Sequence, residues 1–132
     1  MSRKIAREVA MKLTYEKMFG CDETYHEVLE QSGIEDEPSE ADIAFANDIV
    51  SGVQQNLAEI DEIIQSAAVG WTVNRMPKVD LSILRNAVYE IRFGNSVPAA
   101  VAVNEAVELA KTYCDEHSPK FINGLLGKVV RG

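Results

Sequence analysis

The spacing of apolar residues from Ile43 to Ile64 constrains the fold of this chain more than any other feature. Their positions rise by alternating steps of three and four: Ile43, Ala46, Val50, Val53, Leu57, Ile60 and Ile64. Residues at these steps lie on one face of an α-helix. Because the pattern lasts only about three heptads, we interpret it as part of a bundle core and not as a coiled coil. With Ser39 as N-cap, it predicts one long helix, or two nearly collinear ones, ending near Ala68.

The other apolar residues repeat at the same helical period. They predict helices over residues 2–19, 25–32 and 80–93, and a further pair within 97–126. In that pair, Pro98 and Pro119 are expected at first helical positions, with Ser118 as the N-cap of the second helix. No alternating apolar and polar run of strand length is present. The sequence therefore predicts an all-α protein of about seven helices packed as bundles.

Two positions between helices carry specific expectations. Trp71, the only tryptophan, follows Gly70 in a segment that changes direction. We interpret it as a packing anchor between two groups of helices. Gly94 is expected to end its helix in the left-handed conformation that glycine adopts without strain.

Length and composition place the chain among globular proteins. With 132 residues, 46% of them hydrophobic, it is expected to form one domain over residues 1–132 with a core of its own. No run approaches the roughly 18 apolar residues of a membrane span. The basic N-terminus lacks the apolar segment of a signal peptide, and the chain has two cysteines far apart, Cys21 and Cys114. We therefore expect a cytoplasmic protein with reduced thiols.

Charge is unevenly distributed along the sequence. The formal net charge is −8, but residues 21–74 hold 13 Asp or Glu and no Lys or Arg, so all 13 cations lie in the remainder, against 8 acids. A chain with this distribution can present a basic face to a phosphate backbone although its total charge is acidic. The alternative interpretation is that the acidic helices only favour solubility.

The first predicted helix carries one candidate RNA-binding face. Lys4, Arg7, Met11, Tyr15 and Met18 recur at steps of three and four, and Arg3 extends the charge. Cations beside an exposed aromatic ring suit single-stranded RNA, since they neutralise phosphates while the ring stacks on a base. The alternative is that this face packs on a neighbouring helix and buries Tyr15.

No arrangement typical of an enzyme was found. A glycine-rich phosphate loop is absent, and His26 and His117 lie in polar surroundings without a nucleophile nearby in sequence. Two distant cysteines and two histidines do not match the spacing of a metal site. The sequence thus predicts a binding protein without a cofactor or a metal, and not an enzyme.

Four segments of the chain resemble the NusB family of bacterial transcription antitermination factors. VPAAVAVNEAVELAK at 97–111 and SPKFINGLL at 118–126 carry the most specific likeness. IAREVAMKLTYEKMF at 5–19 is similar to the first helix of the family, and residues 79–90 are similar to its fifth-helix signature. The resemblance covers nearly the whole chain and implies two packed three-helix bundles.

The resemblance also implies a function. Family members bind the boxA element of nascent leader RNA, usually with NusE, a small-subunit ribosomal protein. The complex joins other Nus factors on RNA polymerase and suppresses premature termination, notably in ribosomal RNA operons. Some members form homodimers that cover the RNA-binding surface.

Matching positions carry the sites of the family onto this chain. The implied RNA-binding residues are Arg3, Lys4, Arg7, Tyr15, Tyr113, His117, Lys120 and Phe121. The implied NusE-binding residues are Asp80, which is also expected to cap its helix, and Arg85. Many relatives begin with a denser arginine cluster, so RNA affinity is expected to be weak and partner-dependent here. His117 stands where some relatives have an acidic residue.

Two other functions remain open from the sequence. One is the NusB-like accessory domain that precedes the catalytic domain of some RNA cytosine methyltransferases, which would require this chain to be a fragment. The other is a protein–protein scaffold that makes no contact with RNA.

Overall fold

The computed structural model describes residues 2–94 and 97–132. Over these residues the chain forms seven α-helices, one short 3-10 helix at Val73–Arg75 and no strand. The α-helices are α1 (Arg3–Lys17), α2 (Tyr25–Gln31), α3 (Glu40–Gln55), α4 (Leu57–Ala67), α5 (Lys78–Arg92), α6 (Ala99–Tyr113) and α7 (Ser118–Arg131). The predicted all-α class is confirmed.

The helices pack in two groups joined by α5. Helices α1, α2 and α3 contact one another, and α4, α6 and α7 pack on α5, which also contacts α1 and α3. The long apolar pattern is divided between α3 and α4 at Asn56 (φ −119°, ψ 24°), whose side-chain amide donates to the carbonyl of Gly52. One continuous cluster of buried apolar residues draws on all seven helices.

Side-chain caps open α2 and α3, and α2 starts at Tyr25 as predicted. Thr24 and Glu27 form a capping box, in which each side chain accepts from the other residue's backbone N–H. The hydroxyl of Ser39 accepts from the N–H of Asp42. The predicted N-cap at Ser39 is therefore confirmed.

The starts of α6 and α7 differ by one residue from the prediction. Pro98 precedes α6 instead of opening it, while Ser118 is the first residue of α7 and Pro119 the second. Ser118 does not act as N-cap, because its hydroxyl donates to Asp80 at 2.6 Å. The carboxylate of Asp115 instead accepts from the N–H of His117.

The prediction that Gly94 ends α5 in the left-handed conformation is also wrong. Positive φ occurs at Gly20, Gly33 and Gly70, and not at Gly94. The N–H groups of Phe93 and Gly94 both donate to the carbonyl of Tyr89, so the last turn closes without a left-handed residue.

No helix within the described ranges is both long and apolar enough to cross a membrane. Across the same residues there is no cluster of three or more His, Cys, Asp or Glu side chains that could hold a metal ion.

The carboxyl groups of Glu16, near the end of α1, and Glu23, just before α2, form a hydrogen bond. Partial burial, a hydrogen bond with Glu23 and the charges of Glu23 and Glu27 raise the pKa of the Glu16 carboxyl from 4.5 to about 7. The folded chain therefore retains a proton at Glu16 at pH values where the unfolded chain has released it.

This pKa difference predicts that stability falls as pH rises from about 4.5 to about 7, because the folded state binds more protons than the unfolded state in that window. Urea unfolding at pH 5 and pH 8 measures the effect. The free energy of unfolding should fall more with pH in the wild type than in Glu16→Gln, whose amide does not titrate. Equal changes in the two proteins would contradict the prediction.

Candidate nucleic-acid interface

Arg7 lies inside the protein and not on an exposed basic face. Its Nη2 donates to Glu90 Oε1 at 2.8 Å and its Nε to Oε2 at 3.1 Å, with both side chains 7% exposed. Met11, its neighbour on the predicted face, is buried as well. The prediction that Arg7 contacts RNA from an exposed stripe is therefore wrong, because α1 packs against α2, α3, α5 and α6 and is covered on more than one side.

Arg3 and Lys4 remain exposed but are engaged with carboxylates. Arg3 pairs with Asp42 at 3.2 Å and its guanidinium lies 4.2 Å from the centre of the Phe45 ring. Lys4 approaches Glu105 on α6 at 3.9 Å. Their charge is thus partly neutralised before any RNA arrives.

Tyr113 at the end of α6 is held against α1. Its hydroxyl donates to Glu8 at 2.6 Å, and the Lys12 ammonium lies 5.3 Å from the centre of its ring. Partial burial, followed by the hydrogen bond and charge of Glu8, raises the pKa of Tyr113. The structure therefore brings Tyr113, one of the predicted RNA-binding residues, next to the first helix.

Tyr15 and Phe19 form an aromatic pair at the C-terminal end of α1. Their ring centres are 5.1 Å apart; Tyr15 is half-buried, whereas Phe19 is 56% exposed. Tyr15 is therefore partly accessible, and its predicted role in RNA binding stays a prediction.

The start of α7 carries the other predicted residues. His117 and Lys120 are exposed and Phe121 is half-buried. The Phe121 ring lies 5.8 Å from the ring of Trp71, centre to centre. Lys120 and Phe121 make no hydrogen bond, ion pair or ring contact with Arg3, Lys4 or Arg7. Among the predicted RNA-binding residues of α6 and α7, Tyr113 is the one that contacts α1.

The interpretation of Trp71 as a packing anchor between helix groups is wrong. Its side chain is 49% exposed, and it contacts Phe121 from the outside of the protein. Together with Met76, Pro77 and His117 these two rings line a cavity of about 270 Å³, to which Asp80, Asp115 and Ser118 also contribute. We call this cavity the Trp71 cleft.

Asp80 does not cap α5, because it is the third residue of that helix, and its carboxylate is buried. It accepts from Ser118 at the start of α7. Burial, followed by the hydrogen bond and charge of Asp80, raises the pKa of the Cys114 thiol to about 12. One carboxylate thereby joins the start of α5, the end of α6 and the start of α7, while its predicted contact with a partner stays a prediction.

Arg85, the second predicted partner-binding residue, is held in a two-point contact with Asp61. Its Nε and Nη2 each donate to one carboxylate oxygen at 2.8 Å, and its side chain is 12% exposed. This contact ties α5 to α4. The predicted binding of a partner by Arg85 likewise stays a prediction.

The cations differ in whether a carboxylate already neutralises them. Within residues 2–94 and 97–132, seven of the 13 lie within 4.0 Å of a carboxylate oxygen: Arg3, Lys4, Arg7, Lys12, Lys17, Arg85 and Lys111. Six have no such partner in those ranges: Arg75, Lys78, Arg92, Lys120, Lys128 and Arg131. Sequence reasoning missed Arg75 and Lys78, although they are the first cations after the long acidic segment.

Three of the unpaired cations adjoin the Trp71 cleft along the chain. Arg75 precedes Met76, Lys78 follows Pro77, and Lys120 precedes Phe121. Exposed rings beside unneutralised cations can bind a polyanion that carries flat apolar groups. These features make the Trp71 cleft a candidate nucleic-acid interface.

Comparison with known proteins gives the family. The chain matches the NusB family over residues 2–131. It is 46% identical to transcription antitermination protein NusB of Acetivibrio thermocellus, over 99% of this chain and 90% of that protein. It is 41% identical to the protein of the same name from Clostridium novyi, over 99% of each chain. The chain belongs to the NusB family and is accordingly grouped with regulatory proteins and not with enzymes.

Solved structures agree with this membership. T. maritima NusB is 31% identical and superimposes with a TM-score of 0.84, over 99% of this chain and 92% of that chain. A chain from a crystal structure of antitermination factors NusB and NusE in complex with dsRNA is 29% identical, with a TM-score of 0.82 over 98% of this chain and 96% of that chain. The expected NusB-like fold is confirmed.

Proposed function

We propose that this chain is a cytoplasmic transcription antitermination factor that binds boxA RNA of nascent leader transcripts together with NusE. In that complex it prevents premature termination, notably in ribosomal RNA operons. The observation that carries the proposal is the cleft lined by the exposed Trp71 ring and the half-buried Phe121 ring, whose lining residues have three unpaired, exposed cations as chain neighbours. Membership in a family whose curated members are antitermination proteins supports the regulatory part.

The proposed division of labour follows from charge and burial. Lys120, Arg75 and Lys78 neutralise phosphates, and Phe121 and Tyr15 offer ring faces to bases. Arg3 and Lys4 contribute less to RNA affinity, because each must give up its contact with a carboxylate before it binds a phosphate. Arg7 belongs to the core and makes no contact with RNA.

NusE has a physical role in this proposal. With a net charge of −8 and few unpaired cations, the free chain attracts RNA weakly. A partner that adds a second RNA-binding surface raises the combined affinity, since the second contact becomes intramolecular. The solved complex of a relative with NusE and dsRNA supports this arrangement. The other implied partners, which are further Nus factors, RNA polymerase and a second copy of the chain, rest on family resemblance.

Replacing Lys120 by alanine tests the RNA-binding surface. We expect about a fivefold loss of affinity for single-stranded boxA RNA at 0.1 M salt, in the presence of NusE. The slope of log affinity against log salt should become shallower by about 0.7, as for one lost phosphate contact to a single strand. Filter binding across a salt series measures both quantities.

Lys128→Ala is the matched control. Lys128 is also an exposed, unpaired lysine of α7, but it lines a different groove that contains Glu59 and Glu62. Its removal should leave affinity and slope unchanged. Equal effects of the two substitutions would contradict the proposed surface, and a wild type that binds NusE but no RNA would favour the scaffold function.

The accessory-domain function is less well supported. Relatives matched over 99% of this chain, and over 90% or more of their own length, are antitermination proteins. That agreement favours antitermination over a role beside a methyltransferase domain.

A further inference from the structure

We propose that the Trp71 cleft holds one unpaired base of the bound RNA, with Trp71 as its main stacking residue. The inference rests on the proposed function and adds to it a residue outside α1 and α7. It also moves the centre of the RNA-binding surface from the paired cations of α1 to the segment between α4 and α5.

Trp71 is exposed but held in place. Its carbonyl accepts from Gln65 Nε2 at 2.8 Å, and Gln65 Oε1 accepts from the N–H of Val73 at 2.9 Å. The Gln65 side chain thereby braces the loop on both sides of the tryptophan. The Phe121 ring then supports one part of the indole, tilted by 53° to it. A ring that is ordered before binding loses little conformational entropy when a ligand stacks on it.

The shape of the cleft suits a small flat group. Its volume of about 270 Å³ lies just below the range of about 300–1,000 Å³ typical of small-molecule pockets. Trp71, Phe121, Met76 and Pro77 supply apolar walls. Every base has a π-face, so such walls accept an unpaired base whatever its sequence.

The surrounding charges favour a nucleotide over an apolar protein side chain. The unpaired cations Arg75, Lys78 and Lys120 are chain neighbours of cleft residues, and each is exposed. In the proposed complex these cations neutralise the phosphates on either side of the bound base. An apolar side chain would make no use of the three cations, which a phosphate backbone neutralises.

The acidic groups near the cleft are already occupied. Asp80 is buried and accepts from Ser118, and Asp115 accepts from the N–H of His117. Glu116 lies 3.6 Å from His117 on the exposed rim. Asp80 and Asp115 thus bond to groups at the start of α7, and the apolar walls of the cleft remain for the base.

The single tryptophan makes the proposal directly measurable. Single-stranded boxA RNA, titrated into the protein with NusE present, should quench the fluorescence of Trp71. Trp71→Ala should weaken RNA binding by about 5-fold to 100-fold, the loss expected for one stacked base, and Trp71→Phe should restore most of it. Val130→Ala removes another exposed apolar side chain, at the opposite end of α7 from Phe121, and should leave affinity unchanged.

The outcomes separate this proposal from the proposed function. If the wild type binds RNA without a change in Trp71 fluorescence, and Trp71→Ala binds it with equal affinity, base binding in the cleft is excluded and the proposed function stands. Absence of RNA binding in wild type would overturn both. Quenching by NusE alone, with no further change on adding RNA, would assign the cleft to a protein side chain and overturn the proposal. The fluorescence titration uses the wild type alone, so it tests the proposal even if Trp71→Ala folds poorly.

Discussion

Replacing Arg7 by alanine is expected to lower the free energy of unfolding by about 3–5 kcal/mol. The substitution leaves the Glu90 carboxylate buried without the guanidinium that it contacts at 2.8 and 3.1 Å. It also removes the cation that lies 5.0 Å from the centre of the Phe45 ring. Urea unfolding followed by circular dichroism measures the loss.

Three further variants test whether the loss of stability in Arg7→Ala comes from the buried ion pair. Glu90→Ala should destabilise by a similar amount, while the double variant Arg7→Met, Glu90→Leu should recover much of the loss, since no buried charge remains. Lys111→Ala breaks an exposed ion pair with Glu108 and should change stability little. If Arg7→Ala were as stable as Lys111→Ala, the buried pair would not contribute as described. Any loss of RNA binding in Arg7→Ala should result from unfolding of the protein and not from the loss of a phosphate contact.

Gly52→Ala is expected to destabilise the protein by about 1–3 kcal/mol, although alanine favours a helix more than glycine does. A methyl group at Gly52 would lie 2.0 Å from Cε1 and 2.3 Å from Cζ of Tyr89. That ring is stacked on Phe93, with centres 5.9 Å apart, and its hydroxyl donates to Asp48 at 3.0 Å. The ring cannot move aside without weakening these contacts between α3 and α5.

Gly124→Ala is the matched control for this prediction. Gly124 lies within α7, and a methyl group there meets no atom within 4 Å. We expect a gain of about 0.5–1 kcal/mol from helix propensity alone. Thermal or urea unfolding of the two variants should thus give shifts of opposite sign. A stabilising effect at Gly52 would mean that α3 and α5 do not approach as closely as described.

Local patterns predicted the helices well, because their causes lie within a few residues. The steps of three and four from Ile43 to Ile64 and the cap at Ser39 depend on near neighbours alone. The start of α7 was misplaced because its serine hydroxyl is used by Asp80, which lies 38 residues earlier in the chain. No local rule signals a competing acceptor of that kind.

The site was harder to predict because it depends on which charges meet across the fold. Arg7 appears as part of an exposed basic stripe until Glu90, 83 residues away, takes its guanidinium. Trp71 appears as a core residue until Phe121 is found to support it from outside. The small neighbours Ala6 and Ala10, which let α1 pack closely on other helices, were the one local hint that Arg7 is enclosed.

The pairing of most cations with carboxylates determines how RNA would approach the protein. At 0.1 M ionic strength an exposed charge acts over about 10 Å, so a distant RNA meets no attractive field from the internally neutralised cations. The segment 21–74, by contrast, carries 13 carboxylates and no Lys or Arg, and it would repel the RNA. In the proposed complex, encounters in most orientations would therefore be short-lived, and those that bring a strand within a Debye length of Arg75, Lys78 and Lys120 would persist. The uneven charge of the molecule would then select the docking orientation before any base contacts a ring.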